Sequence, residues 1–259
     1  MAGRTVLKHT RVYVDGYDMS AYSKEVGELN WIFATEEQAA LSDGIKNVLP
    51  GHAAISPGAI NGFLDNTATV GLHAVLSGGT GNRTVMIPIG DRAAPAEGDP
   101  VFAGQFEQLD YKAAVGGVYV NASLTLGNWS GQAASLGYNK PWGTLLHELS
   151  AETAANTANS GLSSDKETSS TKGGFLVYQI TAGAGTGSFT ATISVDDSAD
   201  NSSWLALANA TTGELSCNSV QHGVVALATT ATVRRYLRWQ ISLNTATSVT
   251  FALAFIRPE

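Results

Sequence analysis

Few residues in this chain could do chemistry, and they are scattered. The densest set of oxygen donors is VDDSADNSSW, Val195 to Trp204, where Asp196, Asp197, Asp200 and Asn201 could bind Ca²⁺. The central Gly and terminal Glu of an EF-hand are missing from it. Asp, Ser and Asn also turn a chain by bonding their own backbone, and a turn is the preferred reading. The five histidines (His9, His52, His73, His147, His222) show no helix-turn spacing, so a zinc site would have to be assembled entirely by the fold. Glu36 and Glu37 are adjacent and would splay apart on a helix; in a first turn they favour the positive end of the helix dipole. Cys217, in LSCNS, has no neighbouring His or Lys to activate it. GGTGNRT, Gly78 to Thr84, lacks the Gly-Lys-Ser/Thr ending of a phosphate loop, and no G-x-S-x-G or H-E-x-x-H occurs. No catalytic, cofactor-binding or metal-ligating residue is expected, and no enzyme. Among the five tryptophans, Trp239 alternates with Leu237 and Ile241 and Trp204 opens a strand, so both are expected in the core. Trp129, in GNWSG, is the best candidate for exposure, as a sugar platform or an interface residue.

The elements that would position these groups are strands. Hydrophobic residues make up 44% of the 259 and charged residues 14%, well below the roughly 25% usual in soluble domains. So little surface charge suggests that much of the surface faces other protein. Net charge is −7, with 9 Lys/Arg against 15 Asp/Glu in residues 1–160 and 6 against 7 in 161–259. The acid belongs to the first half, which argues against a nucleic-acid grip. The one dense basic cluster is Arg234, Arg235 and Arg238, on opposite faces of one strand. A single cysteine allows no intrachain disulfide and fits cytoplasmic synthesis. No signal peptide is expected in MAGRTVLKHTRVYVDG, nor a membrane span of ~18 apolar residues.

In the first half, Arg11–Val14 reads as a strand followed by a turn at Asp15–Gly16. A second strand is expected at Leu29–Phe33. Thr35 then opens TEEQ, a capping box, with Leu41, Ile45, Val48 and Leu49 at helical spacing up to Pro50–Gly51. Asn66 could cap a short helix through Leu72, Val75 and Leu76. Further strands are expected at Ala53–Leu64 (interrupted by Pro57), Arg83–Ile89, Val101–Leu109 and Val118–Leu126. Ser150–Gly174 is polar and reads as a loop. After it, strands recur every 10–15 residues, the pattern of a β-sandwich. The last two, Val233–Leu243 and Val249–Ile256, read as a closing hairpin with one buried face. The expected fold is therefore mainly β: an N-terminal β-sandwich or barrel with one or two short helices in residues 1–142, then a jelly-roll or Ig-like β-sandwich in 143–259.

RVYVDGYDMSAY, then AAISPGAINGFLDNT and TVMIPIGDRAAPAEGDPVFAGQFEQLDY, resemble the tail tube (major tail) proteins of long-tailed bacteriophages. The stretch from GGFLVYQITAGAG to TVRRYLRWQI…SVTFALAFIRP is similar to a β-sandwich domain appended to such virion proteins. The resemblance implies a structural subunit, made in the bacterial cytoplasm and built into the virion tail. Copies would form rings, usually hexamers, that stack into a conduit and contact other tail proteins. DNA would pass through without specific binding, and no membrane or cofactor is involved. An acidic lumen would keep phosphate from sticking, which the first half's charge fits. Glu28, Glu107 and Asp110, on or beside expected strands, are the lumen candidates. The alternatives are another virion protein, as a capsid decoration or tail-tip subunit, or a carbohydrate-binding module.

Overall fold

The structure is a computed structural model that describes residues 7–38, 47–68, 71–78, 81–91, 93–116, 118–128, 140–154, 156–159, 161–163 and 168–258. The described chain is mainly β, with eighteen strands and one short α-helix. The first half carries β1 (Tyr13–Val14), β2 (Tyr17–Asp18), β3 (Ser23–Val26), β4 (Asn30–Gln38), β5 (Asn47–Ser56), β6 (Ala59–Phe63), α1 (Leu72–Leu76), β7 (Asn82–Pro88), β8 (Pro100–Val115) and β9 (Val120–Asn128). The second carries β10 (Trp142–Glu152), β11 (Asn156–Ala158), β12 (Leu162–Ser163), β13 (Phe175–Gly185), β14 (Thr190–Ser198), β15 (Leu205–Ser216), β16 (Gln221–Ala226), β17 (Tyr236–Ser242) and β18 (Ala246–Ile256).

Local chemistry explains several elements. Asp15 and Gly16 both have positive φ, 52° and 82°, the geometry a two-residue Asp-Gly turn needs to join β1 to β2. The short helix forms at α1, yet Asn66 does not cap it; the N-cap is Gly71. Asp65 organises this entry instead, its carboxylate accepting from Thr67 N (3.1 Å) and Oγ1 (2.8 Å) and its carbonyl from His73 N (3.0 Å).

Over the described residues, the segment expected to be a helix from Thr35 is strand. Thr35, Glu36 and Gln38 lie in β4, Val48 and Leu49 in β5, and Thr35 pairs with Pro50, Glu36 with Leu49 and Glu37 with Val48. Leu41 and Ile45 fall outside the described residues. A capping box is a local preference worth about 1 kcal/mol, which a strand ladder overrides, and Pro50 is tolerated because its strand is at an edge.

One large sheet runs β16-β13-β18-β10-β8-β7-β1-β2 and branches at β8. On one edge β8 pairs with β7; on the other it pairs with β10 through Pro100–Phe102 and with β9 through Phe106–Val115. The branch continues as β9-β6-β3. The boundary drawn near Pro141–Trp142 falls inside this sheet, where Trp142 pairs with Phe102.

Three apolar clusters follow. One lies in the first half, between β1, β7, β8 and the branch strands β6 and β9, around Phe102, Phe106, Ile60 and Leu124. A second fills the space between β13, β18 and a five-stranded sheet of β11 and β12 on β17, then β14 and β15. The third draws on both halves: Tyr13, Met86, Val101 and Ala103 with Leu145, Phe175, Val177, Ala252, Ala254 and Ile256. For these to be buried together the large sheet must roll so that β13 and β16 return to β1, β2 and β7.

Side chains close that roll. Fully buried Gln179 accepts from Gly16 N (2.5 Å) and donates to the Thr84 carbonyl (2.9 Å). Asp15 accepts from Thr84 N (2.8 Å) and from Arg83 Nη1 (2.8 Å), whose Nε donates to Gln108 (2.8 Å). His222 meets Thr84 Oγ1 at 3.0 Å.

The closing hairpin is also corrected. β17 pairs with β14, β11 and β12, and β18 with β13 and β10; the two belong to different sheets. They form an arch. Leu237, Trp239, Ile241 and Leu243 face Val249, Phe251, Leu253 and Phe255 across one core. The other face of β18, with Ala252 and Ala254, is buried as well.

Candidate assembly surface

Strands β4 and β5 form a two-stranded sheet of their own. Nine residues of strand reach about 30 Å, so the pair is an arm. Its base is fixed: Ile55 N donates to Asn128 Oδ1 (2.6 Å), Ser56 Oγ to the Leu126 carbonyl (3.0 Å), and Ile55 is buried in the first-half core. Just beyond the base stand Trp31 (37% exposed), Ile32 (56%) and Phe33 (38%). Alternation sends Trp31 and Phe33 to one face, where their rings lie 5.8 Å apart, and Ile32 to the other. Both faces of the arm therefore offer large apolar groups to solvent. The triplet carries no reactive group and so matches no chemical motif. The available signal was NWIF itself, strand formers ahead of a second β-prone run.

At the far end of the branch sheet, where β8 turns into β9, a second apolar group is exposed: Val115 (87%), Val118 (91%) and Tyr119 (64%), with Tyr119 edge-on to Phe63 at 5.3 Å. Arm base and hairpin tip sit at opposite ends of the nine-residue β9, about 25 Å apart. Between them the outward face of β3-β6-β9-β8 is mostly polar, with exposed Leu109 lying over Gly127. Asn61 accepts from Ser123 (2.6 Å), and Glu25 lies 3.4 Å from Asn61 Nδ2.

Glu107 and Asp110 are on this outward face, opposite Gly127 and Thr125. An extra residue, Leu109, bulges between Gln108 and Asp110 and keeps the two acids on one side. Asp110 is ion-paired with Lys112. Glu28 is exposed in the link between β3 and β4. Gly27 bonds Ala59, which pairs with Thr125, which pairs with Asp110. Glu28 is thus three strand spacings, about 14 Å, from Asp110. The structure brings Glu107 and Asp110 together and leaves Glu28 apart.

The oxygen cluster at 196–201 is spoken for. Asp196 Oδ2 accepts from Arg238 Nε (3.0 Å) and Nη2 (2.8 Å) and from Gln240. Asp197 accepts from Arg234 N (2.8 Å), and burial pushes its carboxyl above the usual carboxylate range. Asp200 caps its own turn, accepting from Ser202 N (2.9 Å), Ser203 N (2.8 Å) and Ser198 Oγ (2.9 Å); these bonds hold its carboxyl well below that range. The acids stand as arginine partners and a turn residue.

Two basic residues of the 234–238 cluster are accounted for by the same contacts. Arg238 also lies 4.7 Å over the ring of Trp204, which is half-buried at a strand start and so outside the core where it was expected. Trp239 is in the core. Trp129 lies outside the described residues. Cys217 is buried, which raises its thiol pKa and leaves it inert. His147 has both Ser150 and Glu152 near the same ring nitrogen, Nε2, at 3.4 and 3.1 Å. A nucleophile–base–acid relay needs them on opposite nitrogens.

No protein family matches the chain, and no curated protein matches it. Among solved structures it is similar to the Dit protein of phage SPP1, described as a paradigm of the hub adsorption apparatus in phages that infect Gram-positive bacteria. The likeness covers 96% of this chain and 99% of that one, at 7% identity and a TM-score of 0.27. At those values it carries no argument about this chain's fold or role.

Proposed function

We propose that this chain is a structural virion protein, a tail tube subunit of a long-tailed phage that assembles with copies of itself into stacked rings. The observation that carries the reading is the arm: a two-stranded ribbon with apolar groups on both faces, whose base is fixed to the first-half core. Isolated ribbons of this kind are marginal in water, and exposed apolar patches mark interaction sites. The second exposed group, at the β8–β9 tip, gives the first half different contact surfaces at the two ends of β9, as a head-to-tail stack requires. The low charge of the sequence supports extensive burial between subunits. In this reading the outward face with Glu107 and Asp110 lines the lumen, with Glu28 about 14 Å from Asp110, and the excess acid of the first half keeps passing DNA from sticking. Other tail proteins are further partners, and no catalysis is assigned.

Negative-stain imaging and mass measurement of the purified full chain over a range of concentrations test the proposal. Rings or tubes are expected. The double variant Trp31→Ser/Phe33→Ser should remain monomeric at concentrations where the parent assembles, with its thermal unfolding unchanged. A parent that stays monomeric throughout, together with tails that contain no protein of this mass, would overturn it.

A further inference from the structure

His147 sits where the ladder between β10 and β18 is irregular, with register shifts on both sides of it. Its ring is almost fully buried. It stacks on Phe251 (4.0 Å between centroids, 3° between planes) and meets Trp239 edge-on at 4.5 Å. Nδ1 is 3.0 Å from the Phe251 carbonyl, which can only accept, so Nδ1 carries a hydrogen. Nε2 is 3.1 Å from Glu152 Oε1 and 3.4 Å from Ser150 Oγ. The Glu152 contact requires a proton between nitrogen and oxygen. Without it two lone pairs would face each other. The Ser150 hydroxyl can then donate to the bare Nε2, a bond it cannot make while the proton is there.

We infer that His147 is a proton-operated switch, which exchanges Glu152 for Ser150 as the partner of its Nε2. Both alternatives are within reach of one ring position. The acidic groups around the ring are Glu152 from its own strand and Glu97, which reaches it through Trp239. The facing strands β17 and β18 present aromatic rings. No Lys or Arg among the described residues is ion-paired with Glu152 or Glu97.

The exchange is wired to both halves of the fold. Ser150, Ala151 and Glu152 pair with Phe251, Thr250 and Val249, so moving Glu152 acts on the end of the β10–β18 ladder. On the other side Trp239 Nε1 donates to Glu97 (2.7 Å), and Asn159 joins Glu97 (3.1 Å) to Trp239 N (3.2 Å). Glu97 belongs to the link that leads into β8. Protonation at one buried ring is therefore felt at the end of β10 and at the contact between the second-half sandwich and the first half.

Nitrogen NMR of the ¹⁵N-labelled full chain between pH 5 and 9 reads the Nε2 state directly, with His147→Gln identifying the signal. Glu152→Gln keeps a carbonyl acceptor but removes the negative charge that favours the protonated state, and its amide can donate to the bare nitrogen, so the titration midpoint should move down by about one pH unit, the scale of one charge-assisted hydrogen bond. Ser150→Ala removes the donor to the deprotonated state and should move it up. Both substitutions change half-buried residues near a strand end. Opposed shifts support the switch. Shifts in the same direction, an unmoved midpoint in Ser150→Ala, or an Nε2 that keeps one state throughout would overturn it.

Discussion

Replacing Gln179 by leucine tests whether the roll of the large sheet is closed by side chains. The leucine has nearly the same size but leaves the buried Gly16 N–H without its acceptor and removes a donor from the Thr84 carbonyl. Thr84 keeps its bond from Asp15 N (3.0 Å), so only one group is orphaned. An unsatisfied buried N–H costs about 1–3 kcal/mol and the second lost bond about 1. The leucine, facing the third apolar cluster, returns about 1 kcal/mol. The net loss is then about 2 kcal/mol, which in a chain of this size lowers Tm by about 6 °C. Urea unfolding should show a lower midpoint with an unchanged slope, and the Gly16 amide should exchange faster. Gln179→Glu should cost more. It keeps an acceptor for Gly16 but sets a buried carboxylate against the Thr84 carbonyl, close to Asp15. A leucine variant within about 0.5 kcal/mol of the parent, or a glutamate variant as stable as the parent, would refute side-chain closure of the roll.

Asp196→Ala should destabilise by about 2–4 kcal/mol, because it strands Arg238 and Gln240 after removing the one oxygen that both engage; chemical denaturation measures this, and Arg238→Lys should recover little of the pair. Asp200 is held ionised in the fold, so its contribution is complete above the ordinary carboxylate range and is lost only as pH falls through its depressed folded value. Amide exchange at Ser202 and Ser203 should therefore stay protected to lower pH than an ordinary aspartate would allow, and should rise at neutral pH in Asp200→Ala. Gly16→Ala should cost more than 1 kcal/mol in the same unfolding assay, since φ is +82° and the added carbon would meet Val220 Cβ at 2.9 Å and the Ile180 carbonyl at 3.0 Å.

Strand content was legible because alternation is written residue by residue. β9 and the apolar faces of β14, β17 and β18 could be read directly, as could the Asp15–Gly16 turn. The arm was not. TEEQ is a capping box by composition, and its meaning depends on β5, whose paired residues begin beyond the reach of a helical turn. The candidate surface was legible only as an imbalance. Low charge said that something is covered, while the residues that form the exposed groups, Trp31–Phe33 and Val115–Tyr119, look like ordinary strand material. The polar closure around Gln179 had no sequence signal at all, because its members come from positions 15, 83, 84, 108, 179 and 222 and meet only when the sheet rolls.

The end of the chain shows where such reading stops. A hairpin and an arch demand the same alternation, since each strand needs one apolar face. They differ in where the strand edges go. In a hairpin the apolar faces of the two strands lie side by side and a third element must cover them. In an arch they oppose and cover one another. Here the second strand is apolar or small on both faces, with Phe251, Leu253 and Phe255 on one and Ala252, Ala254 and Ile256 on the other. A strand buried on both faces belongs in the middle of a sheet, and β18 lies between β13 and β10 with both edges paired. That leaves no edge for β17, so the arch follows from the alanines at 252 and 254. Their small side chains let the rolled sheet close against Val101, Ala103 and Met86, which makes the last strand of the chain a wall shared by the second-half sandwich and the junction with the first half.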